Sequence, residues 1–86
     1  MDKLIINGFC ILDNDLLDKL EYLTNYYEVL VTDYDLYKSM LECDILGVDY
    51  IKNHDLSNSF EILTNTERCS IFELDNYCAD YLYLDI

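Results

Sequence analysis

Proline and tryptophan are absent from this chain of 86 residues, and glycine occurs only twice. Because Gly and Pro supply the special dihedral angles of most turns, their scarcity predicts short connections between elements. Gly8 and Gly47 stand alone, so the sequence contains no glycine-rich loop of the kind that cradles a phosphate. Basic residues number only five, and the single arginine, Arg68, offers little to clamp a phosphate or carboxylate substrate. These absences argue against a phosphate-binding enzyme.

Histidine and cysteine give equally little support for catalysis. The single histidine, His54, lies in a polar stretch without a nucleophile at a known spacing, which is typical of a solvated loop. The four cysteines form no Cys-x-x-Cys pair and are predicted to be reduced, small and buried. A zinc site formed by Cys43, His54, Cys69 and Cys78 is an alternative, although the spacings match no regular zinc knuckle. No catalytic residue, metal or cofactor is predicted.

The apolar content is nevertheless that of a folded protein. Hydrophobic residues make up 52% of the chain, with nine Tyr and three Phe, whereas disordered acidic segments are poor in aromatics. Residues 1–86 are therefore predicted to form a single compact acidic domain. The N-terminus shows no signal peptide, and no apolar run approaches the roughly 18–20 residues of a membrane span. We expect a soluble, cytoplasmic protein.

The first half of the chain alternates between strand and helix patterns. Asn7-Gly8 interrupts a β-prone run, which is either a hairpin or one strand with a bend. Leucines at helical spacing follow Asp13. A second apolar stripe, which includes Leu36, Tyr37, Met40 and Leu41, follows Asp33 and ends near Gly47, a typical C-cap residue. The predicted elements are strand 3–12, a helix from about 14 to 26, strand 28–32 and a helix ending near 46.

The second half predicts mainly strands. Residues 48–52 form either a strand or a helical turn, and residues 77–84 either a strand or a short helix. A β-meander is predicted from the runs 60–64, 69–74 and 79–85. The predicted fold class is α+β, with a small, mostly antiparallel sheet and two helices packed on one face.

The dominant feature is negative charge. Eighteen Asp and Glu oppose five Lys and Arg, for a formal net charge of −13. Residues 1–29, 30–58 and 59–86 each contain six carboxylates, so the charge is not confined to a tail. Solubility requires a net charge of only about 2–8 in magnitude. The excess repels nucleic acid and membranes and attracts basic surfaces, so we predict a basic protein partner, no direct nucleic-acid binding and no membrane binding.

Two acidic pairs resemble metal ligands. Asp13 with Asp15, and Asp33 with Asp35, supply the oxygen ligands that Mg²⁺ and Ca²⁺ prefer. Both pairs lie where a helix begins, however, and N-capping explains them without a metal.

The carboxylates are better explained as a protein-binding surface than as metal ligands. Asp and Glu present single negative charges with hydrogen-bond-accepting oxygens, as phosphodiesters do, and can satisfy Lys and Arg that grip a nucleic-acid backbone. Tyrosines add anchors that pack and stack on guanidinium groups. The predicted partner-binding residues are Asp15, Asp18, Glu21, Asp33, Asp35, Glu42, Asp44, Asp49, Glu73, Asp75, Asp80, Tyr34, Tyr81 and Tyr83.

In size, charge, lack of proline and richness in Tyr and Asp, the chain resembles small acidic inhibitors of phages and mobile elements, the anti-CRISPR and anti-restriction nucleic-acid mimics. The resemblance covers composition and no alignable motif. It implies an inhibitor, monomeric or a small homo-oligomer, that occupies the nucleic-acid-binding surface of a host defence or nucleic-acid-processing enzyme. Three alternatives stay open: an antitoxin-like or regulatory subunit that binds a basic protein, a small metal-dependent enzyme drawing on Asp33, Asp44, Asp49 or Lys52, and a homo-oligomeric structural protein, which like-charge repulsion opposes.

Overall fold

The computed structural model describes residues 3–52, 68–77 and 80–86. The strands are β1 (Lys3–Asn7), β2 (Glu28–Val31), β3 (Val48–Tyr50) and β4 (Tyr81–Asp85). The helices are α1 (Asn14–Leu23), α2 (Tyr34–Glu42) and a 3₁₀ helix at Ile71–Asn76. The strand–helix alternation predicted for the first half is present, and residues 48–50 and 81–85 are strands rather than helical turns.

The sheet is wholly parallel, so the prediction of a mostly antiparallel sheet is wrong. Its strand order is β3-β2-β1-β4, and every neighbouring pair runs parallel. Parallel neighbours require a crossover connection, and α1 and α2 supply the first two. The continuous apolar runs 4–6 and 29–31 are buried and typical of such a sheet. Alternation along β4 indicates a strand but carries no information on the direction of its partner.

The prediction of a β-meander at the end of the chain is wrong for its middle strand, residues 69–74. Residues 71–76 form the 3₁₀ helix, in which Ile71 and Leu74 are buried and Phe72 is exposed. A spacing of three between buried residues matches the 3₁₀ period, and Ser70 with Glu73 forms a capping box. The run 60–64 lies outside the described residues.

Aspartates begin both α-helices. The Asp13 carboxylate accepts a hydrogen bond from the Leu16 amide at 2.8 Å, and Asp33 accepts one from the Leu36 amide at 2.9 Å. Helix α2 ends at Glu42, earlier than predicted, because Asp44 adopts a left-handed φ of 59°. The predicted C-cap, Gly47, instead lies in the loop before β3.

No hairpin forms at the Asn7-Gly8 pair. Strand β1 ends at Asn7, and Gly8 has a φ of 107°, which an L side chain rarely adopts. A Cβ at Gly8 would lie 2.3 Å from the backbone oxygen of Ile86. Glycine therefore allows the ends of β1 and β4 to approach closely.

The helices cover one side of the sheet. The main core joins alternate strand residues such as Leu4 and Val29 to Leu20 of α1, Met40 of α2 and Leu74 of the 3₁₀ helix. A second, smaller cluster on the other side of the sheet contains buried Ile5 and Leu30, with Ile51 and Tyr83 packed against it. We call the outer surface of α1, α2 and the 3₁₀ helix the helical face, and the other side of the sheet the opposite face. In the described part of the chain, no helix combines the length and apolar character needed to cross a membrane.

Candidate partner-binding surface

The helical face concentrates exposed carboxylates. Eight lie on it: Asp15, Asp18 and Glu21 on α1, Asp35 and Glu42 on α2, Asp44 just after α2, and Glu73 and Asp75 on the 3₁₀ helix. Among the residues that the structure describes on this face, only Lys19 and Lys38 are cations. Among the described residues, Asp75 alone of these eight makes an ion pair, with Lys19.

Helix α1 shows why these carboxylates are free to bind. Its buried residues, Leu20 and Leu23, face the sheet, so Asp15, Asp18 and Glu21 recur at three-residue intervals on the exposed side. Side chains three apart on a helix have Cβ atoms about 5–6 Å apart, and like charges at such spacings destabilise the helix. The helix dipole favours Asp15 in the first turn, but packing of α1 against the sheet does not require the other two carboxylates of this stripe, at Asp18 and Glu21.

A groove runs between α1 and the 3₁₀ helix, and we call it the α1 groove. Its volume is about 430 Å³, and it is lined by Asp15, Asp18, Lys19, Tyr22, Phe72 and Asp75. The aromatic side chains are open to solvent, with 45% of Tyr22 and 64% of Phe72 exposed. The Lys19 ammonium lies 3.3 Å from an Asp75 carboxylate oxygen and 5.1 Å from the centre of the Tyr22 ring.

Tyr22 presents a neutral ring to this groove. Its ring centre is 4.9 Å from that of Tyr26. The neighbouring Tyr26 hydroxyl is the largest cause that raises the pKa of Tyr22, and the charge of Asp75 adds to it. Since the ordinary pKa of tyrosine is already about 10, the phenol stays protonated at neutral pH. A neutral aromatic face attracts cations.

A second aromatic cluster lies where α2 begins and β3 ends. Tyr50 stacks on Tyr37 with ring centres 5.9 Å apart and meets the edge of Tyr34 at 5.5 Å. Tyr34 is 60% exposed and follows the capping residue Asp33. Tyr34 and Asp35, both predicted from sequence, therefore lie on the helical face beside a cluster of tyrosine rings that local sequence patterns do not indicate.

Tyr81 and Tyr83, the other two tyrosines predicted to bind a partner, lie on the opposite face, where each contacts a cation of the same chain. Lys3 lies 5.8 Å from the centre of the Tyr81 ring, and Arg68 lies 5.0 Å from that of Tyr83. These cations also pair with carboxylates, Lys3 with Glu28 at 3.9 Å and Arg68 with Asp85 at 3.4 Å.

The predicted set is therefore divided between two sides of the molecule. Asp49 is exposed on β3, in register with Leu30 of the opposite face. Asp80 precedes β4 at the amino edge of the sheet. The structure does not bring these two carboxylates, or Tyr81 and Tyr83, together with the stripe on α1. Tyr22 and Phe72 are not among the partner-binding residues predicted above. Helical spacing from Asp18 indicates the position of Tyr22, whereas the wrong strand assignment concealed that of Phe72.

At the carboxyl edge of the sheet, polar side chains of neighbouring strands bond to one another. The strand order reverses between β1 and β4, the position at which open parallel sheets bind ligands. Here the Asn7 amide nitrogen donates to the Tyr83 hydroxyl at 2.6 Å, and its oxygen accepts from Thr32 at 2.8 Å. The N-termini of α1 and α2, which elsewhere bind anions, are occupied by the carboxylates of Asp13 and Asp33.

The cysteines do not form an activated site among the described residues. Cys43 is exposed, which corrects the prediction that the cysteines are buried, whereas Cys10 and Cys69 are half-buried. Burial, and then the charge of Asp13, raises the pKa of the Cys10 thiol, so the thiol is protonated at neutral pH. Over residues 3–52, 68–77 and 80–86, no three His, Cys, Asp or Glu are grouped to hold a metal. His54 and Cys78 of the zinc alternative lie outside these ranges.

Asp33 caps α2 through a side-chain oxygen and also carries a negative charge. Two variants distinguish the contributions of the cap and of the charge to stability. Asp33→Ala removes the cap of α2 and should lower the free energy of unfolding by about 1 kcal/mol. Asp33→Asn loses the same charge but keeps a capping oxygen, so it should stay within a few tenths of a kcal/mol of the parent. Urea denaturation followed by circular dichroism measures both. Equal destabilisation by the two variants would contradict the capping role.

Comparison of the chain with protein-family models, with curated proteins and with solved structures finds no match.

Proposed function

We propose that this protein is an inhibitor that binds the basic nucleic-acid-binding surface of a host defence or nucleic-acid-processing enzyme. The helical face would make the contact, and its carboxylates would take the positions of backbone phosphates. The observation that carries the proposal is the set of eight exposed carboxylates on one face, seven of which make no ion pair within the described residues. Most of these carboxylates can therefore bind Lys and Arg of a partner without breaking an ion pair among the described residues.

The distribution of cations supports this choice of face. Lys3 and Arg68 lie on the opposite face with ring and carboxylate partners. Their positive charge is therefore turned away from the carboxylate stripe of α1. A field concentrated on one side orients the protein as it approaches a basic partner, which accelerates productive encounter.

The size of the protein fits a short stretch of nucleic acid. Its longest dimension is 32 Å, close to the roughly 34 Å of one turn of duplex DNA. The carboxylates come from two helices and a 3₁₀ helix packed on one sheet, so their spacing is set by the fold. A rigid array loses less entropy on binding than a disordered acidic tail does. The proposal assigns no catalytic step to the chain.

The test is capture of the partner with a tagged form of this protein, using lysate of the native host. We expect a nucleic-acid-binding protein that is released by a salt gradient, because screening weakens contacts between exposed charges. Added duplex DNA or RNA should release the same protein by competing for its basic surface. A partner indifferent to both salt and nucleic acid would contradict the proposal, as would the absence of any basic partner. A toxin released by salt but not by nucleic acid would favour the antitoxin-like alternative.

A further inference from the structure

We propose that the α1 groove is a binding site for an arginine side chain of the basic partner, and that Lys19 occupies the cation position until the partner displaces it. The inference rests on the proposed function and identifies the contact at its centre. Its basis is the combination of a groove, two exposed aromatic walls and a cation already bound within the chain.

The contacts of Lys19 show how the α1 groove binds a cation. The Lys19 ammonium lies between the Asp75 carboxylate and the face of Tyr22, so the position stabilises a positive charge by both an ion pair and a cation–π contact. The Lys19 side chain is only 17% exposed, whereas that of Asp75 is 64% exposed. A partner can therefore approach the carboxylate from solvent. Because the Asp75 carboxylate is largely exposed, solvent screens its ion pair with Lys19, which limits the cost of displacing the ammonium.

The lining of the groove favours arginine over lysine. The guanidinium group is planar, stacks on aromatic rings and binds a carboxylate through two parallel hydrogen bonds. Tyr22 and Phe72 offer ring surfaces, and Asp15 and Asp18 add carboxylates on the same groove wall. The ammonium of lysine is more strongly hydrated and lacks a stacking surface. The groove is open to solvent, and its volume of about 430 Å³ leaves room for one such side chain.

A pair of lysine variants tests whether Lys19 holds this position. Lys19→Gln and Lys38→Gln change the net charge equally, but only Lys19 lies in the groove, since Lys38 is exposed on α2. The probe is the blocked peptide acetyl-Gly-Arg-Gly-amide, titrated into ¹⁵N-labelled protein and followed by NMR. We expect Lys19→Gln to raise the affinity about 2–5-fold, and Lys38→Gln to change it by less than about 1.5-fold. Equal effects of the two variants would overturn the role of Lys19.

The same titration locates the site and tests its preference. Amide shifts should be largest at Asp18, Tyr22 and Phe72, and the lysine peptide acetyl-Gly-Lys-Gly-amide should bind more weakly. Phe72→Ala should weaken arginine binding about 2–5-fold without unfolding the chain, because Phe72 is 64% exposed. Shifts centred on α2, or no preference for arginine, would overturn the inference. Salt-sensitive capture of a nucleic-acid-binding protein would still support the wider proposal in that case.

Discussion

Gly8→Ala should lower the free energy of unfolding by about 2–4 kcal/mol. The substitution places a Cβ in a backbone conformation with a φ of 107°, at a strain of about 1–3 kcal/mol. The new atom would also lie 2.3 Å from the oxygen of Ile86, so the end of β4 must move away from β1. That movement lengthens the hydrogen bond that the Ile86 amide donates to the Asn7 backbone carbonyl, which contributes about 0.5–1.5 kcal/mol.

Gly47→Ala is the matched control. Gly47 also has a positive φ, at 82°, but a Cβ there would meet its nearest neighbour, Thr24, at an ordinary 3.6 Å. The control should therefore lose only the strain of the left-handed conformation, about 1 kcal/mol. Urea denaturation monitored by tyrosine fluorescence compares the two. If both variants lose the same stability, the close approach of β1 and β4 is not important for folding.

Neutralising the stripe on α1 should have the largest effect on binding. The triple variant Asp15→Asn, Asp18→Asn, Glu21→Gln removes three exposed carboxylates from one helix. We expect affinity for a fluorescent polyarginine peptide to fall about tenfold or more at low salt, since each exposed pair contributes up to about 1 kcal/mol. The dependence of the affinity on salt should also become shallower, because fewer charges take part. Fluorescence anisotropy at several salt concentrations measures both quantities.

The control for this variant has the same net charge. Glu28→Gln, Asp49→Asn and Asp80→Asn also remove three exposed carboxylates, but none of them lies on the helical face. Affinity should fall less than about threefold, as expected from the loss of overall charge alone. Circular dichroism must show both variants folded. If the control weakens binding as much as the α1 variant does, the helical face is not the contact surface. Asp49 and Asp80 would then belong to the contact surface, as the sequence predicts.

Local patterns in the sequence were sufficient for the first half of the fold. Helical spacing of leucines and the capping aspartates Asp13 and Asp33 indicate where both α-helices begin. The ends are harder, because Asp44 adopts the left-handed conformation that is more usual for glycine, while Gly47 is available three residues later. The conformational preference of glycine predicts that α2 ends near Gly47. The helix ends earlier, and buried Ile45 after it packs into the core.

The direction of the strands depends on partners distant in the chain. Ile5 pairs with Leu30 through one helical crossover, and with Tyr83, which is far along the sequence. Periodicity of two identifies a strand but is the same in parallel and antiparallel sheets. The 3₁₀ helix was mistaken for a strand because Phe72 and Leu74 alternate, although one is exposed and the other is buried. This error also separated Phe72 from the candidate site.

The strand order has a consequence for the order of folding. The unit from β1 to β3 forms through neighbouring crossovers, but β4 must reach back to β1, which closes a much longer loop. Contacts of this kind form late, because the loop entropy is lost before the pairing is gained. Until β4 docks, one edge of the central strand β1 remains unpaired, with the apolar run Leu4, Ile5 and Ile6 along it. Such an edge can pair with another chain, so the nascent protein is most vulnerable to aggregation just before its final strand arrives.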